Sequence, residues 1–333
     1  MKAIVCEKYG SADVLDLKEI DKPQPKAKEV LIRNYASAIN TADILYRRGR
    51  IPEGMGTFWI ARMAFTPMMR LFDMGIRTPR RKVVGHDFSG EIVAVETEVT
   101  DWKAGDHVYG YSSGACAEYL CVPTSKLATK PVNMSFQEAG AVPGAAIVAL
   151  GGLRDWGKLQ SGQKILISGA SGGIGTFAVQ MAKNVYGAEV TGVCGPSNLE
   201  MVQELGADFV IDYTKDNFTK NGQTYDVIFD VRGKLTFSKV KNSLTKKGIY
   251  VSNNFLNSKK HLLHLITSTF TSKKLKIGVA NESPENLTLL REWIDEGKLK
   301  SVIDRVYPLS QTAEAHQHYE TGHSKGRVVI SID

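Results

Sequence analysis

The chain has 333 residues, 43% hydrophobic and 23% charged, and its 42 basic against 35 acidic side chains give a net charge of +7. That length holds two domains with full cores, and the composition excludes a disordered, collagen-like or disulfide-scaffolded chain. Basic and acidic residues are interspersed, and the aromatic and basic pattern of a nucleic-acid-binding sheet is missing, so a solvated surface with no nucleic-acid partner is expected.

The N-terminus, Met1-Lys-Ala-Ile-Val-Cys-Glu-Lys, has no long apolar region, and Glu7 and Asp13 argue against a transit peptide. Four irregularly spaced cysteines (Cys6, Cys116, Cys121, Cys194) do not make a disulfide framework, so a reducing, cytoplasmic setting is expected. Short β-like runs (Ala3 to Cys6, Val30 to Asn34) then lead into a helix through Asn40, Asp43 and Tyr46. The connection from Ile51 to Lys82 is rich in Met and aromatic residues and reads either as an adaptable wall of a substrate pocket or as plain core. Its most apolar part, Met55 to Ile76, is broken by Arg62, Pro67, Arg70 and Asp73, so no membrane partner is expected.

Strand signals return over Lys82 to Val95, around Asp106 to Gly110 and over Ala117 to Val122, closing a β-rich unit near residue 125. From Ser135, with Glu138 completing a capping box, a helix is predicted through Leu153. Thereafter strands alternate with helices: Asp226 to Asp230, Gly248 to Ser252 and Leu275 to Val279, then a helix from Pro284 to Glu296. The tail holds Val302 to Pro308, a helix through His318, and a final alternating strand, Gly326 to Ile332, that suits the first domain better than a doubly wound sheet.

The stretch Gln163 to Lys183 carries most of the chemistry. Ile165, Leu166 and Ile167 suit a buried parallel strand, and Phe177, Ala178, Met181 and Ala182 recur at helical spacing. Between them stands Ala170-x-Gly172-x-x-Gly175, a dinucleotide fingerprint that departs at its first glycine, with Gly169 preceding it. Gly172 lets backbone approach a pyrophosphate, Gly175 lets helix and strand pack closely, and the helix N-terminus offers unpaired N–H groups to phosphate.

The ordered motifs resemble the medium-chain dehydrogenase/reductase superfamily, and within it the zinc-independent quinone oxidoreductase group. The resemblance spans nearly the whole chain and rests on Asn40 with Asp43 and Arg48-Gly49, Val84-Gly-His-Asp-Phe-Ser-Gly90, Gly105-Asp-His-Val108, Pro143, Gly169-Ala-Ser-Gly-Gly-Ile-Gly175 with Lys183, Leu205-Gly-Ala-Asp208 and Val210-Ile-Asp-Tyr213. It implies an α/β protein with a GroES-like β-rich catalytic domain (residues 1–125 and 298–333) and a Rossmann doubly wound parallel-sheet domain (126–297), and a homodimer. It further implies that Asn40 lies near the nicotinamide or the substrate oxygen; a buried structural asparagine is the competing reading. Where many relatives carry Thr, this chain has Val148, so the proton donor is unassigned and water is one option.

Zinc-using members place Cys where this chain has Asn40, and the motif containing their His reads Gly85-His86-Asp87 here. Pro143 to Leu150 supplies no thiol, so no metal is expected, and His86 reads as a hydrogen-bonded residue at a strand turn. An NAD enzyme usually ends its second strand with a carboxylate for the ribose 2′-hydroxyl, whereas this chain reads Val193-Cys194-Gly195-Pro196-Ser197-Asn198. That favours NADP(H). Ser171, Gly172, Gly173 and Ile174 are expected at the pyrophosphate. By resemblance Lys183, Gly195, Ser197, Asn198 and Tyr213 are expected around the 2′-phosphate or adenosine, with a solvated helix end as the alternative for Lys183. The expected activity is hydride transfer from NADPH to quinones or α,β-unsaturated carbonyls. Alcohol or aldehyde dehydrogenase-like activity and a non-catalytic NADPH-binding protein stay open.

Overall fold

The structure, a computed structural model, describes residues 1–49, 78–253, 272–278 and 281–333. The connection read as a substrate wall or core lies outside the described residues from 51 to 77. The described chain divides into two units, the first formed by residues 1–49, 78–147 and 282–333, the second by 148–253, 272–278 and 281.

The first unit is β-rich. Its main sheet runs in the order Ile303–Pro308, Arg327–Ser331, Glu29–Ala38, Asp87–Val95, His107–Tyr111, Leu127–Thr129, with Tyr119–Pro123 also pairing to Glu29–Ala38. The C-terminal strand Arg327–Ser331 lies antiparallel to Glu29–Ala38, with Val329 opposite Ala38, as its alternation suggests. A core of Val30, Ile32, Phe88, Ile92, Val108, Leu120 and Val122 fills this sheet's interior. Helix Thr41–Arg48 starts where Asn40 is extended and Asp43 accepts from the Asn40 backbone N–H at 2.7 Å. It stops at Gly49, whose φ of 63° suits a residue without a Cβ.

The unit boundaries differ from those read from the sequence. The change from strand to helix periodicity near residue 125 does mark the end of the β run, but the next helix, Phe136–Gly140, still belongs to the first unit. A Cβ on Gly140 would lie 3.1 Å from that of Ala36. Likewise helix Pro284–Asp295 is held by the Tyr109 hydroxyl, which donates to the Leu287 carbonyl at 2.6 Å. Ser135 and Glu138 form the expected capping box, yet the helix it opens is short: Pro143 has no N–H to continue the ladder, and separate segments follow over Pro143–Leu150 and Gly151–Trp156.

The second unit holds a parallel sheet in the order Phe209–Asp212, Glu189–Cys194, Lys164–Ser168, Tyr225–Asp230, Leu244–Ser252, Lys274–Ile277. Numbered along the chain this is 3-2-1-4-5-6, the doubly wound Rossmann order that was expected. Helix Gly173–Gln180 follows the first strand. Ile165, Leu166 and Ile167 are fully buried, which accounts for their uninterrupted apolar run. Among the described residues no helix is long and apolar enough to cross a membrane.

Candidate active site

In the first unit, the side chains of Arg327 and Asp87 and the backbone of Ala141 and Gly144 meet around Asn40. Arg327 donates from Nη2 to Asn40 Oδ1 at 3.0 Å and to Asp87 Oδ2 at 2.5 Å, and from Nε to the Ala141 carbonyl at 3.0 Å. A guanidinium only donates, so the atom it meets is the carbonyl oxygen of the Asn40 amide, and the Nδ2 donor is turned away from the arginine. Nδ2 makes a long contact, 3.4 Å to the Ala38 carbonyl, and the Asn40 side chain also hydrogen-bonds the Asp87 carboxylate, helping to hold its charge. Asp87 also accepts from the Gly144 N–H at 2.9 Å. Only glycine fits at 144: a Cβ would stand 2.9 Å from Asp87 Oδ1, 3.1 Å from Asn40 Oδ1 and 3.2 Å from the Tyr111 ring.

Beside this centre Asp43 Oδ1 meets His86 Nδ1 at 2.5 Å, and the His86 ring stacks on Tyr111 with centroids 5.3 Å apart. A carboxylate only accepts, so Nδ1 carries the proton. Burial opposes the charge on Asp43, but His86, with His316 and the Asn40 N–H adding to it, holds the carboxyl below its usual range. For His86 burial again works against the charged form, and Asp43 outweighs it, raising the imidazole above its ordinary value. Burial pushes Asp87 up to about 6, with Arg327 opposing, so it stays a carboxylate at neutral pH. Tyr111 is raised by burial and by Asp43 and Asp87, which keeps its phenol protonated.

In the second unit the glycine turn has the geometry a dinucleotide needs. Gly169 has a φ of +86°, and a Cβ on Gly175 would lie 2.1 Å from the Gly169 carbonyl oxygen, so helix and strand touch through backbone. Among the described residues a Cβ on Gly172 would meet only that oxygen, at 3.6 Å, before the helix N-terminus. Gly173 and Ile174 form the first turn of helix Gly173–Gln180, with their N–H groups unpaired within it. Asn198 Nδ2 donates to Ser171 Oγ at 3.2 Å, tying the loop after the second strand to the turn. Ser197 is exposed beside it, and Tyr213, 55% exposed, covers Gly195: a Cβ there would sit 3.6 Å from the ring. These residues fit a dinucleotide.

Lys183, expected beside the loop by resemblance, is engaged elsewhere in this structure. Its Nζ pairs with Asp208 at 2.5 Å, and Asp208 accepts from the Val190 N–H at 2.8 Å, near the start of strand Glu189–Cys194. Gly195 follows the other end, about 16 Å away at ~3.3 Å per residue. The helix had carried Lys183 along its length, away from the phosphate end.

Sequence reasoning passed over Arg327 and Tyr111, and read Asp87 only as a departure within the Gly85-His86-Asp87 motif. Arg327 lies 287 positions from Asn40, and its one visible signal is a charge opening an otherwise apolar strand. Among the described residues no group of three or more His, Cys, Asp or Glu side chains stands ready for a metal.

Comparison with known proteins agrees with this architecture. Residues 26–132 match the model of the alcohol dehydrogenase GroES-like domain, and residues 205–330 match that of a zinc-binding dehydrogenase. The NADPH-dependent alkenal/one oxidoreductase of Arabidopsis thaliana chloroplasts is 32% identical over 99% of this chain and 79% of its own length. The 2-methylene-furan-3-one reductase of Solanum lycopersicum is 33% identical with the same coverage. The solved quinone oxidoreductase of Coxiella burnetii superposes with a TM-score of 0.85, at 25% identity, over 100% of this chain and 99% of its own.

Proposed function

The chain belongs to the medium-chain dehydrogenase/reductase superfamily, and from that premise we propose that it is an NADPH-dependent oxidoreductase that delivers hydride to quinones or α,β-unsaturated carbonyls without zinc. The observation that carries the reading is the Asn40 amide, held by Arg327 so that it offers a donor. Bound at the glycine turn, the cofactor supplies the hydride from its nicotinamide. The protein's part is to receive the charge that develops on the substrate oxygen. Asn40 Nδ2 donates to that oxygen, and because Arg327 fixes the amide beforehand, no reorganisation is needed as the charge grows.

Conjugation in a quinone or enone spreads the developing charge, so an amide donor suffices where a simple alcohol or aldehyde calls for a Lewis acid. Zinc independence rests on the donor set: Asn40 offers an amide and Pro143 to Leu150 offers no thiol, so His86 lacks the two further ligands that a catalytic zinc needs. The four cysteines are unpaired, which suits a reducing, cytoplasmic setting. A homodimer is implied by the resemblance, and strand Lys274–Ile277 stands, among the described residues, at the end of its sheet.

Steady-state NADPH oxidation against a panel of quinones and enones, run beside NADP-dependent oxidation of simple alcohols, tests the reading, with elemental analysis of the purified protein. Turnover of quinones or enones by zinc-free protein is expected. Turnover of alcohols alone, or loss of activity on chelation with stoichiometric zinc present, overturns it.

A further inference from the structure

We propose that Arg232 supplies a cation to a phosphate group of the bound dinucleotide, a charge that neither the glycine turn nor the loop from Gly195 to Asn198 contains. The inference rests on the dinucleotide reading above. Strand Tyr225–Asp230 runs parallel beside Lys164–Ser168 with Asp230 opposite Ser168, so the turn after Asp230 leaves the sheet at the same edge as the glycine turn. That turn is pinned from several sides. Val231 donates its backbone N–H to the Ser168 carbonyl at 3.1 Å, Gly233 donates to the Asp230 carbonyl at 3.2 Å, and Asn253 donates to the same carbonyl at 3.1 Å. The buried Asp230 carboxylate accepts from the Leu235 N–H at 2.7 Å and the Tyr250 hydroxyl at 3.1 Å.

The stem of Arg232 crosses the glycine turn. A Cβ on Gly169 would lie 2.8 Å from Arg232 Cγ and 3.3 Å from Cδ, so the bare glycine gives the stem its seat. Arg232 is exposed, and among the described residues its guanidinium has no ion pair or hydrogen bond. An aliphatic stem laid on backbone with an unengaged planar fork beyond it is the form in which arginine meets phosphate. Lys183, the cation expected from the sequence, is instead engaged with Asp208.

Equilibrium titration of NADPH and NADH, followed by nicotinamide fluorescence, tests the assignment on wild type, Arg232→Gln and Arg232→Lys, with melting temperatures recorded for each. Arg232→Gln is expected to raise the dissociation constant about tenfold or more, as loss of a charge-assisted hydrogen bond does, and to flatten its salt dependence. Arg232→Lys is expected to restore part of the affinity. Weakening of NADPH alone assigns the 2′-phosphate, and equal weakening of both cofactors assigns the pyrophosphate; either supports the proposal. Wild-type binding with unchanged Arg232→Gln constants overturns this inference alone. A wild type that binds neither cofactor overturns the functional reading and this inference together.

Discussion

Arg327 and Asp87 form an ion pair, Nη2 to Oδ2 at 2.5 Å, of which only 3% and 0% of the side chains remain exposed. Arg327→Ala is therefore expected to destabilise the protein by about 3 to 5 kcal/mol, because it leaves a buried carboxylate without its counter-charge. The double variant Arg327→Met with Asp87→Leu is expected to lose less than the sum of Arg327→Met and Asp87→Leu made singly. Urea unfolding of the four proteins measures the coupling, and additive losses would show that the pair is not linked.

Asn40→Ala removes the donor while leaving Arg327 paired with Asp87. Turnover is expected to fall by about 10²-fold or more, the scale seen when one donor to a developing oxyanion is deleted. The NADPH dissociation constant is expected to stay within about twofold, since the glycine turn belongs to the other unit. Comparing single-turnover rates with binding titrations checks the split; a shift in binding alone contradicts the role given to the amide.

Lys183→Ala is expected to leave NADPH affinity unchanged. The lysine is paired with Asp208 at the start of strand Glu189–Cys194, and the pair is partly exposed, so the stability cost is expected at about 1 kcal/mol or less. Fluorescence titration of NADPH decides it, a tenfold loss being the contrary outcome.

His316 gives a pH signature. Its ring is buried, Nδ1 has no partner among the described residues, and burial pulls its pKa down to about 4, with Asp43 and Glu320 opposing that shift and Arg47 adding to it. Above pH ~6.5 the ring is neutral in both folded and unfolded chains. As pH falls toward 4 the unfolded chain takes a proton that the folded one refuses, so stability is lost across that window, on the order of 3 kcal/mol. In His316→Leu the stability curve between pH 6.5 and 4 is expected to flatten by about that amount, measured by urea unfolding at stepped pH.

Local patterns predicted the framework well because each records a nearest-neighbour constraint. The run Ile165 to Ile167 marked a covered strand, Ser135 and Glu138 marked a helix start, and the alternation after Gly326 placed the last strand in the first unit. What escaped were relations set by the fold. Asp87 and Arg327 are 240 positions apart, and no periodicity links them. Lys183 was expected at the phosphate by resemblance, but in space it pairs with Asp208 at the start of strand Glu189–Cys194. The first unit runs on past residue 125 for a related reason: periodicity reports the kind of element, not the partner against which that element buries its face.

The place of Arg327 in the chain also has a consequence for biosynthesis. Asp87 leaves the ribosome 240 positions before its arginine. At roughly 5 to 20 residues per second, about 12 to 48 seconds pass in which the acid has no partner to bury it with. The parallel sheet of the second unit, whose strands end by Ile277, is synthesised within that interval and is free to fold first. The polar centre of the first unit is therefore expected to be completed late, when the last strand pairs beside Ala38. A nascent chain stalled before Arg327 is expected to bind dinucleotide while lacking turnover, so cofactor capture and catalysis become separate milestones in the life of one polypeptide.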